Sequence, residues 1–144
     1  MDDLQKIAFL LGHLGYPTRP SELEPVLAGI LGNPEMGVFL AVADDQEVAG
    51  LVSLRCFSVL RLKGLQVSME ELVVDPTFRG RGIGRELIRC AERFARERGA
   101  VRLEVHTNRE RESYRRRFYE KNGFVPSNTA LYRLELGRES VRGI

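Results

Sequence analysis

A glycine-rich turn bordered by arginines is the segment of this 144-residue chain whose residue types point most directly to chemistry. Residues 79–85 read Arg-Gly-Arg-Gly-Ile-Gly-Arg and lie between an apolar stretch and a helical pattern. Glycines lack the Cβ atoms that would keep a ligand away from the backbone, and the free N–H groups of a first helical turn bind phosphate. The arginines add bidentate donors at the same place. The turn therefore predicts a cradle for a pyrophosphate group.

Other phosphate-binding loops fit these residues less well. The turn lacks the Gly-Lys-Ser/Thr of a Walker A loop, and its glycines alternate instead of following the G-x-G-x-x-G spacing of dinucleotide-binding folds. A tight turn that merely needs small residues stays open as an alternative.

The elements that must position this turn follow from the apolar spacing along the chain. Residues 67–107 form a strand, a helix and a second strand, which makes a crossover unit with parallel strands. An antiparallel hairpin precedes it, so the fold class is α/β with a central mixed sheet, mostly antiparallel and flanked by helices. One domain is expected over residues 1–144. The pattern predicts helices over 3–14, 21–31, 82–98 and 110–122, and strands over 37–43, 48–57, 67–75, 101–106, 124–125 and 130–136.

Two motifs resemble those of the GNAT superfamily, the Gcn5-related N-acetyltransferases. Arg79-x-x-Gly82-x-Gly84 after a strand is similar to the family's acyl-CoA-binding motif, and residues 118–124, Phe-Tyr-Glu-Lys-Asn-Gly-Phe, are similar to its next signature. The resemblance implies a sheet splayed at a β-bulge, with acetyl-CoA as cosubstrate and no metal. It places the pantetheine arm beside Leu72, Val73 and Val74, and the pyrophosphate on Arg79, Gly80, Arg81, Gly82, Ile83, Gly84 and Arg85.

The same resemblance suggests catalytic residues. Tyr119 matches the signature tyrosine that protonates the departing thiolate, although a purely structural aromatic residue is the alternative. Glu70 matches an acidic position that serves as base, often through water, and Glu71 is held in reserve. Because they are neighbours on a strand, the two carboxylates point to opposite faces, and either could be a solvated or ion-paired residue instead. The N–H of Val73 or Val74 would polarise the acetyl carbonyl.

The function implied is direct acetyl transfer from acetyl-CoA to a primary amine of a small molecule. An acetylase of protein N-termini or lysines, and a non-catalytic acyl-CoA sensor, remain alternatives. The acceptor pocket is expected within residues 15–33, 55–66 and 126–130, and Glu22, Glu24 and Glu35 slightly favour a cationic acceptor.

Charge and composition restrict the partners. Residues 1–72 carry a net charge of −5 and residues 73–144 one of +7, which suits a phosphorylated ligand. The sequence lacks the interleaved aromatic and basic residues that would suggest nucleic-acid binding. It also lacks an apolar run long enough to suggest a membrane span. Two distant cysteines and an acidic start without a signal peptide are typical of a cytoplasmic protein. The family's usual first strand has no counterpart here: either a partner subunit supplies it, as in a homodimer, or the sheet lacks this strand.

Overall fold

The computed structural model describes residues 2–137. One four-stranded sheet has the order β1-β2-β3-β4, in which β1, β2 and β3 are antiparallel and β4 is parallel to β3. The strands are β1 Met36–Val42, β2 Val48–Val59, β3 Gly64–Val74 and β4 Arg102–Val105. The helices are α1 Asp3–His13, α2 Pro20–Leu31, α3 Ile83–Glu97, α4 Glu112–Arg115 and α5 Phe118–Lys121, with 3₁₀ turns at Leu60–Leu62 and Pro76–Phe78. The predicted mixed α/β fold class is confirmed.

Helices cover both faces of the sheet because successive side chains of a strand point to opposite faces. Val52 of β2 belongs to the core beneath α3, while its neighbour Leu51 packs with α1 on the other face. The apolar stripe of α3 is buried as its helical spacing predicted, through Leu87, Ile88, Ala91, Phe94 and Ala95. The strand–helix–strand unit is therefore held by packing along its whole length.

A bulge in β3 opens the sheet. Ser53 of β2 pairs with Glu71 and Leu54 pairs with Met69, so Glu70 is the extra residue of a β-bulge. The pairing of β3 with β4 ends at Met69 and Val105, although β3 continues to Val74. Within the described chain, residues 70–74 thus have no partner strand on the β4 side. The splayed sheet that the resemblance implied is present.

The prediction of one continuous helix over residues 110–122 is wrong in the middle of that range. The chain forms two short helices, and Arg117 between them adopts a left-handed conformation with φ of 58°. Residues 112–117 contain one apolar side chain, Tyr114, and it is exposed. Helical composition without a buried apolar face gives little stability, which accounts for the break.

The strands predicted over 124–125 and 130–136 are also wrong, because residues 124–137 contain no regular structure. An alternating pattern produces a strand only where a neighbouring strand accepts its hydrogen bonds. Beyond the half-buried Phe124, the large apolar side chains of this segment are exposed, namely Val125, Leu131, Tyr132, Leu134 and Leu136. Smaller differences occur elsewhere: β3 begins at Gly64 instead of residue 67. Cys56 is buried and Cys90 is half-buried, and both are free thiols.

No helix within residues 2–137 is both long enough and apolar enough to span a membrane.

Candidate functional site

The opening in the sheet leads into a cavity of about 490 Å³, here called the fork cavity. Four segments line it: the C-terminal end of α1, the free end of β3, the glycine-rich turn of residues 79–85, and the α4–α5 region. Most of the predicted ligand-binding residues meet here. Leu72, Val73, Val74, Arg79, Gly80, Gly82, Ile83, Gly84 and Arg85 all line the cavity.

Arg81 is the one predicted ligand-binding residue that does not line the fork cavity. It lines a separate cavity of about 440 Å³ beside the β1–β2 hairpin. Its guanidinium carbon lies 5.1 Å from the ring centroid of Phe78, so the side chain stacks on that aromatic residue. The structure therefore places Arg81 outside the fork cavity.

The glycine-rich turn has the backbone that a phosphate cradle needs. Gly80 and Gly82 have φ of 78° and 77°, which residues with a Cβ rarely adopt. The first hydrogen bond of α3 runs from the N–H of Glu86 to the carbonyl of Gly82. In the described structure, the N–H groups of Ile83, Gly84 and Arg85 have no backbone acceptor, as expected for a helix start. They are available to an anion in the cavity.

Gly84 connects this turn to the aromatic residues of α5. A Cβ on Gly84 would lie 3.0 Å from Cζ and 3.3 Å from Cε2 of Phe118. Phe118 in turn packs edge-to-face against Tyr119, with 5.2 Å between the ring centroids. Close approach at a glycine thus fixes the distance between the helix start and Tyr119.

Tyr119 lines the cavity and also packs on the core beneath α3. Its ring lies edge-to-face on Phe124, with centroids 5.8 Å apart. Burial raises the pKa of the phenol, and the positive charge of Arg111 opposes that rise only in part. The phenol therefore holds its proton at neutral pH. A structural aromatic role and a proton-donor role are compatible for Tyr119, because its ring packs on apolar residues while its side chain also lines the cavity.

Glu70 and Glu71 lie next to the fork but are not among the cavity-lining residues. Glu70 is the bulge residue, and its carboxylate accepts a hydrogen bond from Nε of Arg55 at 3.2 Å, with 41% of its side chain exposed. Glu71 accepts a hydrogen bond from the hydroxyl of Ser53. Neither carboxylate therefore forms part of the cavity wall.

Several lining residues carry no signal in the sequence that would have identified them. His13 and Leu14 come from the end of α1, and Arg111 donates an Nη2–H to the carbonyl of Leu14 at 3.3 Å. Arg79 of the turn forms an ion pair with Glu112 at 3.5 Å. Contacts between residues so far apart in sequence depend on the tertiary fold.

None of the ranges 15–33, 55–66 and 126–130, where the acceptor pocket was expected, contributes to the lining.

The lining is strongly basic. Five cationic side chains, Arg79, Arg85, Arg111, Arg116 and Lys121, accompany a single carboxylate, that of Glu112. Glu22, Glu24 and Glu35 are outside the lining. Among residues 2–137, no group of three His, Cys, Asp or Glu side chains could hold a metal ion. The cavity can therefore bind an elongated anionic ligand through backbone N–H groups at the turn and cations around it.

Comparisons with known proteins agree with this geometry. A family model described as the acetyltransferase (GNAT) family matches residues 3–124. The aminoalkylphosphonate N-acetyltransferase of Salmonella typhimurium is 38% identical over 101 residues, which cover 70% of this chain and 64% of that protein. The streptothricin acetyltransferase of Streptomyces lavendulae is 42% identical over 65 residues, which cover 45% of this chain and 32% of that protein. The matched regions thus span less than two thirds of both relatives.

A solved structure extends the likeness to nearly the whole chain. The crystal structure of an acetyltransferase from Trypanosoma brucei superposes with a TM-score of 0.74 at 27% identity, covering 93% of each chain.

Proposed function

The chain belongs to the GNAT acetyltransferase family, and we propose that it is an N-acetyltransferase that moves the acetyl group of acetyl-CoA directly to a primary amine of a small molecule. One observation carries the proposal: a single cavity joins the free end of β3, the glycine-rich helix start and the half-buried phenol of Tyr119. The names of the two relatives, which specify an aminoalkylphosphonate and streptothricin, support a small-molecule acceptor.

The residues fit the parts of acetyl-CoA in order. The free N–H groups of Ile83, Gly84 and Arg85 would bind the pyrophosphate, with Arg79 and Arg85 at its rim. The edge of β3 at Leu72, Val73 and Val74 would hydrogen-bond the pantetheine arm much as an added strand does. Gly80 and Gly82 let the backbone approach closely. Arg81 would contribute long-range charge instead of direct contact.

The proposed chemistry needs a base, an electrophile and a proton donor. Glu70 takes the proton of the amine through a water molecule, with Glu71 as the alternative base. The nitrogen attacks the acetyl carbonyl, which the N–H of Val73 or Val74 polarises. The carbon–sulfur bond then breaks, and Tyr119 gives its proton to the thiolate. A phenol that keeps its proton through neutral pH is suited to this last step.

Calorimetric titration of acetyl-CoA tests the donor site. Wild-type protein is expected to bind with micromolar affinity, and Gly82→Glu to lose binding because its carboxylate repels the pyrophosphate. Gly99→Glu is the matched control, since Gly99 has φ of 70°, similar open space, and a position at the far end of α3. Absence of binding to wild type at about 100 μM, or equal loss in both variants, would contradict the proposal.

Thiol release with amines tests the reaction. Turnover with small primary amines supports the proposal, whereas turnover only with peptide N-termini or lysines would indicate a protein acetylase. Binding of acetyl-CoA with no turnover on either class would indicate an acyl-CoA sensor.

We also propose a homodimer that uses the outer edge of β4, defined by residues 102–105, which pairs with no strand in the described chain. The alternating residues 130–136 of a second copy match it in charge. In an antiparallel register that places Leu103 opposite Leu134, Arg102 faces Glu135 and Glu104 faces Arg133. The exposed apolar side chains of the segment would become covered there.

We place the protein in the cytoplasm, where its two free thiols stay reduced.

Mixed disulfide formation tests this dimer in a Cys90→Ala background. Leu103→Cys chains mixed with Leu134→Cys chains are expected to give a linked dimer. Leu103→Cys mixed with Arg133→Cys is the control, because residue 133 faces the other side of the strand. A bridge that forms only within single chains carrying both cysteines would contradict the dimer.

A further inference from the structure

Arg111 occupies a defined place in the fork cavity. Its side chain is half-buried, and Nη2–H donates to the carbonyl of Leu14, the residue that ends α1, at 3.3 Å. Its guanidinium carbon also lies 6.0 Å from the ring centroid of Tyr16. These two contacts hold the guanidinium at the side of the cavity formed by α1.

Arg111 has no carboxylate partner among residues 2–137, although acidic residues flank it in sequence. Glu110 pairs with Arg115, and Glu112 pairs with Arg79. A guanidinium has five donors and cannot release its charge, so a half-buried one is stabilised when an anion completes its hydrogen bonds. The remaining donors of Arg111 are free to meet an anion in the cavity.

The position of Arg111 relative to Tyr119 indicates which anion this is. Arg111 and Tyr119 line the same cavity, and the charge of Arg111 acts on the phenol of Tyr119. Tyr119 is assigned to the sulfur end of acetyl-CoA, whereas the pyrophosphate is assigned to the glycine-rich turn. A cation that is held by α1 and lines the same cavity as Tyr119 can therefore meet an anionic group on an acceptor amine.

We propose that the acceptor is a primary amine carrying a carboxylate or phosphoryl group, and that Arg111 binds this group and so directs the amine towards the acetyl carbonyl. The proposal rests on the proposed acetyltransferase function. It replaces the cationic acceptor that Glu22, Glu24 and Glu35 had suggested, because these residues lie outside the cavity lining. A planar, two-pronged guanidinium suits either anion and would also fix the orientation of a short amine.

Three amines of similar length test the proposal in the thiol-release assay: 2-aminoethylphosphonate, 3-aminopropanoate and uncharged propylamine. Wild type is expected to favour at least one of the acidic amines over propylamine by about 10- to 100-fold in kcat/KM, the range for a charge-assisted hydrogen-bond pair. The two acidic arms distinguish a phosphoryl from a carboxylate preference. Arg111→Ala is expected to remove the preference mainly through KM, and Arg111→Lys to restore part of it.

Two further measurements separate the possible failures. Arg109→Ala is the matched control, since Arg109 is exposed and outside the lining, and it should keep the preference. Calorimetry of the preferred acidic amine with CoA-saturated protein should show binding that Arg111→Ala weakens, whether or not turnover occurs. Equal use of propylamine by wild type, or an Arg111→Ala variant that weakens only acetyl-CoA binding, would overturn the proposal. Absence of acetyl-CoA binding to wild type would instead overturn the proposed function.

Discussion

At the scale of single residues, Tyr119 places a hydroxyl group in a largely apolar environment at the edge of the cavity. Phe118 and Phe124 hold its ring edge-on, and burial raises the pKa of its hydroxyl. Tyr119→Phe keeps the ring contacts and removes only the hydroxyl that we propose as the proton donor. We expect kcat to fall by about 100-fold or more, the usual contribution of a general acid. Steady-state thiol release measures this effect.

The pH profile gives the same prediction a second readout. A tyrosine pKa raised above its ordinary value of about 10 keeps the protonated form to higher pH, so kcat should show no loss of the donor below about pH 10. Equal unfolding free energies for wild type and Tyr119→Phe are the control. Turnover of the variant within threefold of wild type would remove Tyr119 from the mechanism.

A buried ion pair joins α1 to Asp75, which lies between β3 and the 3₁₀ turn Pro76–Phe78. Nζ of Lys6 lies 2.6 Å from Oδ2 of Asp75, and the side chains are 9% and 4% exposed. Burial alone would raise the pKa of Asp75, but hydrogen bonds from Lys6 and Thr77 outweigh it and leave the pKa below its ordinary value. The fold therefore favours the carboxylate, and the resulting stability is complete above the ordinary aspartate pKa of about 3.9. It is lost as pH falls through the lower, folded-state pKa.

Asp75→Asn should cost about 3 kcal/mol at pH 7, because it leaves the ammonium of Lys6 buried without its nearest counter-charge. The difference from wild type should shrink as the pH is lowered below about 4. Urea unfolding at a series of pH values measures both effects, and the exposed Asp44→Asn serves as control. A constant difference down to pH 2 would mean that the carboxylate charge of Asp75 does not stabilise the fold.

At the scale of elements, the contact between the start of α3 and α5 depends on a missing Cβ. Gly84→Ala would place a methyl group 3.0 Å from the ring of Phe118. We expect a loss of about 1–3 kcal/mol in the free energy of unfolding, typical of overpacking. The double variant Gly84→Ala, Phe118→Leu should recover part of it. Gly12→Ala in α1 meets no atom within 4 Å and should stabilise instead. Equal effects of the Gly84 and Gly12 substitutions in urea unfolding would contradict this account.

The elements also differ in how well the sequence alone could predict them. α3 and the glycine-rich turn were predictable because their signals are local: an apolar stripe of helical period and glycines before it. The break at Arg117 and the unpaired residues 130–136 were not, because both depend on whether a neighbouring surface exists. The bulge at Glu70 was expected in this strand from the resemblance alone, and its position is defined by the pairing with β2.

At the scale of the whole molecule, the fold brings basic residues that are spread along the second half of the sequence together around one cavity. The second half of the chain holds the basic excess, and all five cationic residues at the fork cavity come from it. Composition alone could predict an anionic partner. It could not predict the contribution of α1, since His13 and Leu14 reach the cavity only when α1 packs across the sheet.

A ligand that contacts all of these elements together should stabilise the entire fold. Acetyl-CoA at 100 times its Kd adds about 2.7 kcal/mol to the free energy of unfolding, which corresponds to a rise of roughly 10 °C in Tm for a chain of this size. Thermal melts should show this rise in wild type and in Gly99→Glu, and no rise in Gly82→Glu. Raising the salt concentration should reduce it, because the cations around the cavity are partly exposed to solvent. A full rise in Gly82→Glu would show that acetyl-CoA binds away from the fork, since a cavity that depends on backbone N–H groups at the turn cannot tolerate a carboxylate there.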